Sequence, residues 1–278
     1  MIINTFSYLW KASALDAISE LVDNGYTVFE IPISSPHCWP VEISAAERAD
    51  FGAKLDGFGA RVRSLNAGGY DLNLASPAAS MRAKSVEHIN SVIDLAAEWN
   101  VREIIISPGT RRPMISPTIE QVRGWLNDSL ETLIPRAQDA GARLLFEQTP
   151  YCFTPTIETL AHVVRTVNDD SLKIVYDVAN AAYIGEDPVA ALREYHELIP
   201  LIHISDTTTD VWGHEPIGTG VIDWRALGAA VDATLGVDNV VLEVIRDEDT
   251  LEEFATAVRD LGAAGWSVEN DRTEEVVR

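Results

Sequence analysis

The sequence predicts a single α/β domain, a (β/α)8 barrel of the TIM type, from three observations. Short apolar runs alternate with longer segments of helical periodicity, and this pair recurs eight times along the chain. Eight pairs in 278 residues come to about 35 residues each, the size typical of this barrel. Metal-capable side chains end four of the later runs, and a barrel gathers such strand ends at one mouth. No glycine fingerprint follows the first strand, so an open doubly wound sheet is the weaker alternative.

The first half of the chain supplies four of these pairs. Apolar spacing predicts a first helix that Gly25 ends, and a second helix from Ser44, where Glu47 completes a capping-box pattern. A third helix is expected from about Ser76 to Trp99. The corresponding strands are predicted at 2–6, 27–31, 61–65 and 103–107.

The second half repeats the pattern four more times. A long helix is expected from about Ser116 to Ala140, where Gly141 ends it. The strands are predicted at 143–147, 173–177, 201–205 and 239–243. The helices that follow them are expected to begin near Thr156 and near three aspartates that could serve as N-caps, namely Asp187, Asp223 and Asp249. We predict a catalytic barrel domain over 1–266 and a charged tail over 267–278 that is a flexible end or an arm on a neighbouring subunit.

Composition excludes several classes of function. The formal charge is -22, with 21 Lys and Arg against 43 Asp and Glu, so the protein repels phosphate backbones and anionic membranes. We therefore expect no nucleic-acid partner and no membrane partner. The first residues resemble no signal peptide, no apolar run is long enough to span a bilayer, and two cysteines make no disulfide scaffold. These features favour a cytoplasmic protein.

Four apolar runs in succession end in a residue that can bind a metal. They are followed by Glu147, Asp177, His203 and Glu243, which a parallel barrel would bring together at its C-terminal mouth. Three carboxylates and one imidazole suit Mn²⁺, Mg²⁺ or Co²⁺, and a catalytic Zn²⁺ stays open. Four protein ligands leave positions for two substrate oxygens, so the pattern points to a hydroxy-carbonyl compound.

The residues around these strand ends carry a resemblance to a known family. The segments Glu147-Gln148-Thr149-Pro150, Asp177-Val178-Ala179-Asn180, His203-Ile204-Ser205-Asp206, and His214 through Gly220 resemble the sugar phosphate isomerase/epimerase family, the xylose-isomerase-like barrels. The resemblance implies a TIM barrel that binds one divalent ion, Mn²⁺ first, through the four strand-end residues. It also implies that Glu147 and Glu243 lie on opposite sides of the substrate carbon. A small carbohydrate substrate and a homo-oligomer follow as expectations, with a hetero-complex as the alternative.

The chemistry leads to a metal-dependent isomerase or epimerase of a sugar or polyol-derived keto compound. A metal-bound carbonyl makes the neighbouring carbon acidic, so one glutamate can remove a proton and the other return it through an enediolate. The alternative is a lyase, an inosose dehydratase or a keto-sugar eliminase, because the same carbanion expels a leaving group on the next carbon. His214 is a further candidate acid or base. Asn180 stands where several epimerases carry a histidine, and the loop after His203 lacks their arginine, which favours the lyase alternative.

Other residues near the predicted mouth are candidates for substrate contact. Aromatic rings could stack on sugar faces, arginines could hold a carboxylate or phosphate, and polar strand ends could contact hydroxyls. These candidates are Asn180, Trp39, Trp212, Arg111, Arg112, Glu30, Asn66 and Glu215. Two other functions fit the sequence less well. An abasic-site endonuclease needs more histidines at strand ends and less negative charge, and a non-catalytic sugar-binding barrel would not need all four ligands.

Overall fold

The computed structural model describes residues 1–69, 71–111 and 114–268, and it confirms the predicted barrel. Eight parallel strands pair in sequence order, and the last closes on the first. The strands are β1 (Ile2–Asn4), β2 (Val28–Pro32), β3 (Arg61–Asn66), β4 (Glu103–Ile106), β5 (Arg143–Glu147), β6 (Leu172–Asp177), β7 (Leu201–Ile204) and β8 (Val240–Leu242).

Helices surround the closed sheet. In the described ranges they are α1 (Ala14–Asp23), α2 (Ala45–Phe58), α3 (Ala79–Glu98), α4 (Ile119–Asp139), α5 (Ile157–Val167), α6 (Val178–Tyr183), α7 (Pro188–Tyr195), α8 (Trp224–Thr234) and α9 (Thr250–Ala263). The short α6 was not predicted. It begins directly after β6, with Asp177 as its N-cap, so the chain makes one extra turn before the predicted helix at Asp187.

Side-chain caps decide where the helices begin. The predicted capping box at Ser44 and Glu47 is present, and Asp187 and Asp223 cap their helices as predicted. The fourth helix begins three residues after Ser116, because Thr118 and Gln121 form a capping box there. The predicted cap at Asp249 was wrong: its φ is +51°, whereas a capping side chain needs extended backbone, and it accepts no capping hydrogen bond.

The hydrophobic core has two parts, because strand side chains alternate between the two faces of the sheet. The larger part lies between the strands and the helices. The smaller part fills the barrel interior and consists of Ile2, Ile105, Leu145, Val175, Leu201 and Val241. These interior residues form an apolar floor beneath the mouth.

The opposite end of the barrel is held by an ion-pair network. Glu103, at the start of β4, is almost fully buried, and its carboxylate pairs with Arg143 and with Arg63 at 3.4 Å. No helix within the described ranges is long and apolar enough to cross a membrane. The predicted charged tail lies outside the described residues except for Ser267 and Val268, and the latter packs against the core.

Candidate metal and active site

Strand alternation projects the predicted site residues into the mouth of the barrel. Each lies two positions after an interior apolar residue, so its side chain points to the same face one layer higher. The pairs are Leu145 and Glu147, Val175 and Asp177, Leu201 and His203, and Val241 and Glu243. The four polar side chains are therefore stacked directly above the apolar floor.

The structure brings these four side chains together into one buried cluster. One ligand atom from each of Glu147, Asp177, His203 and Glu243 lies within 4.8 Å of the others. Nδ1 of His203 is 3.2 Å from Oε1 of Glu147 and 2.8 Å from Oε2 of Glu243. His203 and Asp177 have no exposed surface, and the two glutamates are less than a tenth exposed. The spacing matches that of side chains bound to a single cation.

One oxygen of the cluster indicates a cation more directly. Oδ2 of Asp177 is buried and accepts no hydrogen bond in the described part of the chain, whereas Oε2 of Glu243 lies 2.8 Å from Nδ1 of His203. The second oxygen of each carboxylate is occupied: Oδ1 of Asp177 accepts from the Asn180 backbone N–H at 2.7 Å, and Oε1 of Glu243 accepts from Asn4 at 2.9 Å. A buried carboxylate oxygen without a donor is costly. The residues present therefore fit a divalent cation.

The charges of the cluster shift its pKa values. Burial raises the pKa of Glu147 and of Asp177. The negative charges of Glu243 and Glu30 raise the pKa of Glu147 further, and that of Glu147 raises the pKa of Asp177. Burial alone would lower the pKa of His203, but the charges of Glu243 and Glu30 outweigh it and raise that pKa well above its ordinary value. A divalent cation would relieve this concentration of negative charge, because it supplies two positive charges at the centre of the cluster.

His214 lies at the edge of the cluster on the loop between β7 and α8. Its Nδ1 is 3.0 Å from Oγ of Ser205 and 3.7 Å from both Oδ2 of Asp177 and Oε2 of Glu243. Asp206 holds this loop in place: its carboxylate accepts from the backbone of Gly218 and from the indole of Trp224, both at 2.9 Å. The buried carboxylate of Asp206 thus fixes the loop that carries His214.

Asn180 and Trp212 form one unit beside the site. The indole N–H of Trp212 donates to Oδ1 of Asn180 at 2.6 Å, and Nδ2 of Asn180 donates to the carbonyl of Gln148 at 3.1 Å. The Trp212 ring meets Tyr151 edge to face, with centroids 5.3 Å apart, and lies 6.2 Å from the ring of His214. This places an aromatic pair next to the candidate acid or base.

Glu30 and Asn66 lie together behind the cluster. Glu30 is fully buried, and it accepts hydrogen bonds from Ser64 at 2.6 Å and from Asn66 at 3.3 Å. Burial works to raise the pKa of Glu30, but the neighbouring His203 and these hydrogen bonds outweigh it, so the pKa is lowered.

The remaining predicted contacts lie farther out on the loops. Trp39 stacks on His88 of α3, with ring centroids 4.1 Å apart. Arg111 is exposed, and its backbone N–H donates to the carbonyl of Tyr151 at 2.8 Å. Glu215 pairs with Arg246 at 3.1 Å. The prediction for Arg112 lies outside the described residues.

Sequence reasoning missed two polar residues that contact the cluster. Asn4 ends β1 two positions after the interior residue Ile2, so the alternation that places the four cluster residues also marks Asn4. Gln148 follows Glu147 and donates to the backbone carbonyl of Asp177 at 2.9 Å, which ties the ends of β5 and β6 together. For Gln148 the sequence offers no comparable signal, because it lies only one position after Glu147 and so outside the two-residue series of interior side chains.

Comparison with known sequences finds a family and three distant relatives, among them an uncharacterized protein and an inosose dehydratase. The model of the family described as xylose isomerase-like TIM barrel matches residues 18–265. An uncharacterized protein, MJ1311 of Methanocaldococcus jannaschii, is 22% identical over 211 residues, which are 72% of each chain. An inosose dehydratase of Clostridium beijerinckii is 24% identical over 86 residues, which are 31% of this chain and 29% of that protein.

Comparison with solved structures finds the same barrel in proteins of low sequence identity. The IOLI protein with a bound zinc atom superimposes with a TM-score of 0.80 at 19% identity, covering 96% of this chain and 99% of that one. The 3-keto-D-glucoside 4-epimerase YcjR from E. coli, in its apo form, gives a TM-score of 0.78 at 20% identity, covering 94% and 98%. At these identities the likeness shows a shared fold.

Proposed function

The chain belongs to the xylose isomerase-like TIM-barrel family, and from this premise we propose that it is a divalent-metal-dependent isomerase or epimerase of a sugar or polyol-derived keto compound. The observation that carries the proposal is the buried four-residue cluster, in which Oδ2 of Asp177 accepts no hydrogen bond. The similarity of the fold to a 3-keto-D-glucoside epimerase supports the choice of substrate class.

The four cluster residues would hold the ion, with Mn²⁺ as the leading candidate and Zn²⁺ as its competitor, since a structural neighbour binds zinc. A bound divalent ion supplies a Lewis acid that polarises a substrate carbonyl and so acidifies the adjacent carbon. Glu147 and Glu243 are the proposed proton acceptor and donor.

The remaining residues would orient the substrate and exclude water. His214 is the proposed second acid or base, because it lies at the edge of the cluster and its side chain is 14% exposed. Trp212 and Tyr151 offer apolar faces beside it for a sugar ring. A homo-oligomeric assembly and a cytoplasmic location stay predictions.

A lyase acting on the same class of compound is the second candidate. The match to an inosose dehydratase favours it, as does Asn180, whose amide binds Trp212 and the Gln148 backbone and cannot shuttle a proton. Loss of a leaving group from the carbon next to the proposed carbanion would give an unsaturated product.

The test combines metal analysis with proton exchange. Purified wild-type protein should contain about one divalent ion per chain, whereas Glu243→Gln should contain far less, because the change removes an anionic ligand. Glu103→Gln is the matched control: it neutralises a buried glutamate at the opposite end of the barrel and should keep the ion.

The reaction is then followed by ¹H NMR in D₂O with ketohexoses, 3-keto-glucosides and inososes. We expect deuterium next to the carbonyl with the wild type and with Glu103→Gln, and none with Glu243→Gln. A rearranged sugar identifies an isomerase or epimerase, and an unsaturated product absorbing in the ultraviolet identifies a lyase. A wild type that holds no metal and exchanges no proton contradicts both candidates.

A further inference from the structure

Glu30 is a buried carboxylate that lies outside the four-residue cluster and touches it. It ends β2, has no exposed surface, and is surrounded by donors from four other positions. Its oxygens accept from Nδ2 of Asn4 at 2.8 Å, from Oγ of Ser64 at 2.6 Å and from Nδ2 of Asn66 at 3.3 Å, and they lie 3.1 and 3.2 Å from Nε2 of His203. A carboxylate is retained at such depth only when it is paired in this way.

The contact with His203 distinguishes the two nitrogens of its ring. Nε2 faces Glu30, whereas Nδ1 faces Glu147 and Glu243. A neutral imidazole carries one N–H and one lone pair, and the hydrogen bond made by one nitrogen decides the role of the other. With a divalent cation in the cluster, a proton held on Nε2 by Glu30 would leave the lone pair of Nδ1 directed at that cation.

Asn4 extends the same arrangement to Glu243. The two hydrogens of its Nδ2 go to Oε1 of Glu30 at 2.8 Å and to Oε1 of Glu243 at 2.9 Å. Its Oδ1 accepts from the backbone N–H of Phe6 at 2.7 Å, which fixes the orientation of the amide. Oε1 of Glu243 is thus held by Asn4, and Oε2 is the oxygen that faces the cluster, 2.8 Å from Nδ1 of His203.

We propose that Glu30 is a positioning residue that, through His203 and Asn4, determines which atoms of His203 and Glu243 bind the metal. This role rests on the proposed function, and it differs from the contact with a substrate hydroxyl that the sequence suggested for Glu30. Hydrogen-bonded partners of metal ligands typically change metal affinity 10- to 100-fold when they are replaced.

The test measures the affinity of metal-free protein for Zn²⁺ by isothermal titration calorimetry. Glu30→Gln keeps the size of the side chain but loses its charge, and we expect Zn²⁺ to bind about 10- to 100-fold more weakly. Glu103→Gln, which neutralises a buried glutamate far from the cluster, should bind Zn²⁺ as the wild type does. An affinity of Glu30→Gln equal to that of the wild type overturns the positioning role.

A second measurement needs no variant at Glu30. In ¹⁵N-histidine-labelled wild type with Zn²⁺, His203 should show a protonated Nε2 that exchanges slowly with water and an Nδ1 shifted by the metal. The reverse pattern, with Zn²⁺ bound to Nε2, would contradict the proposal even if Glu30→Gln does not fold. A wild type that binds no Zn²⁺ overturns the proposed function as well, whereas tight binding with Nε2 as ligand overturns the positioning role alone.

Discussion

Replacement of Gly220 by alanine should destabilise the loop that carries His214. A Cβ at position 220 would lie 2.0 Å from the carbonyl oxygen of Thr207 and 2.3 Å from Oδ1 of Asp206, where real contacts stay beyond 3.0 Å. Both oxygens are already engaged, since the Thr207 carbonyl accepts from the Val221 N–H at 3.0 Å and Asp206 accepts from the Thr207 N–H at 2.9 Å. The loop must therefore move by about 1 Å, and these hydrogen bonds must weaken.

The size of the effect follows from these contacts. Overpacking costs about 1–3 kcal/mol, and a weakened neutral and a weakened charged hydrogen bond add about 1 and about 2 kcal/mol. Gly220→Ala should thus lose about 4–6 kcal/mol of unfolding free energy, which lowers Tm by roughly 10 °C for a protein of this size. Thermal and urea unfolding of the metal-free protein, followed by circular dichroism, measures the loss.

Two other glycines serve as controls for this loop. Gly218 has φ +83° and open space around its Cβ, so Gly218→Ala should lose only about 1–2 kcal/mol from backbone strain. Gly124 lies in α4 with nothing within 4 Å, and Gly124→Ala should gain about 0.5–1 kcal/mol. A loss for Gly220→Ala no larger than that for Gly218→Ala would refute the steric reasoning.

Two further predictions concern buried groups that titrate. Burial lowers the pKa of His88 to about 4 from an ordinary 6.5, so its contribution to stability is complete above pH 6.5 and is lost as pH falls from 6.5 towards 4. His88→Phe keeps the stack on Trp39 but cannot titrate. Between pH 7 and pH 5 its unfolding free energy, measured in urea, should fall about 2 kcal/mol less than that of the wild type. Equal losses in both proteins would contradict the lowered pKa of His88. Burial raises the pKa of Glu147, so its ionisation destabilises the native state as pH rises above the ordinary value near 4.5. Glu147→Gln should therefore stabilise the metal-free protein by about 1–3 kcal/mol at pH 7. Because the change also removes a proposed metal ligand, it should abolish the rise in Tm that Zn²⁺ causes. A variant that is less stable without metal, or that still gains stability from Zn²⁺, would contradict this second prediction.

Local chemistry made much of the barrel predictable. Caps such as Ser44 with Glu47, and Asp223 before α8, act over three residues, so the sequence contains both partners. The cap at Asp249 was mispredicted because its backbone adopts a left-handed conformation, which residue type alone does not reveal. The extra helix α6 was missed because its cap, Asp177, was interpreted only as a metal ligand.

The sequence by itself determined the fold class and the four residues that converge at the mouth. Strand alternation and the parallel direction of all strands require that Glu147, Asp177, His203 and Glu243 lie one layer above the apolar floor, because each follows an interior residue by two positions. Only the tertiary structure decided which atom of each side chain faces the cluster. Asn4 and Glu30 come from strands far away in sequence, and the hydrogen bonds that select one oxygen of Glu243 and one nitrogen of His203 exist only after β1, β2, β7 and β8 have closed the barrel.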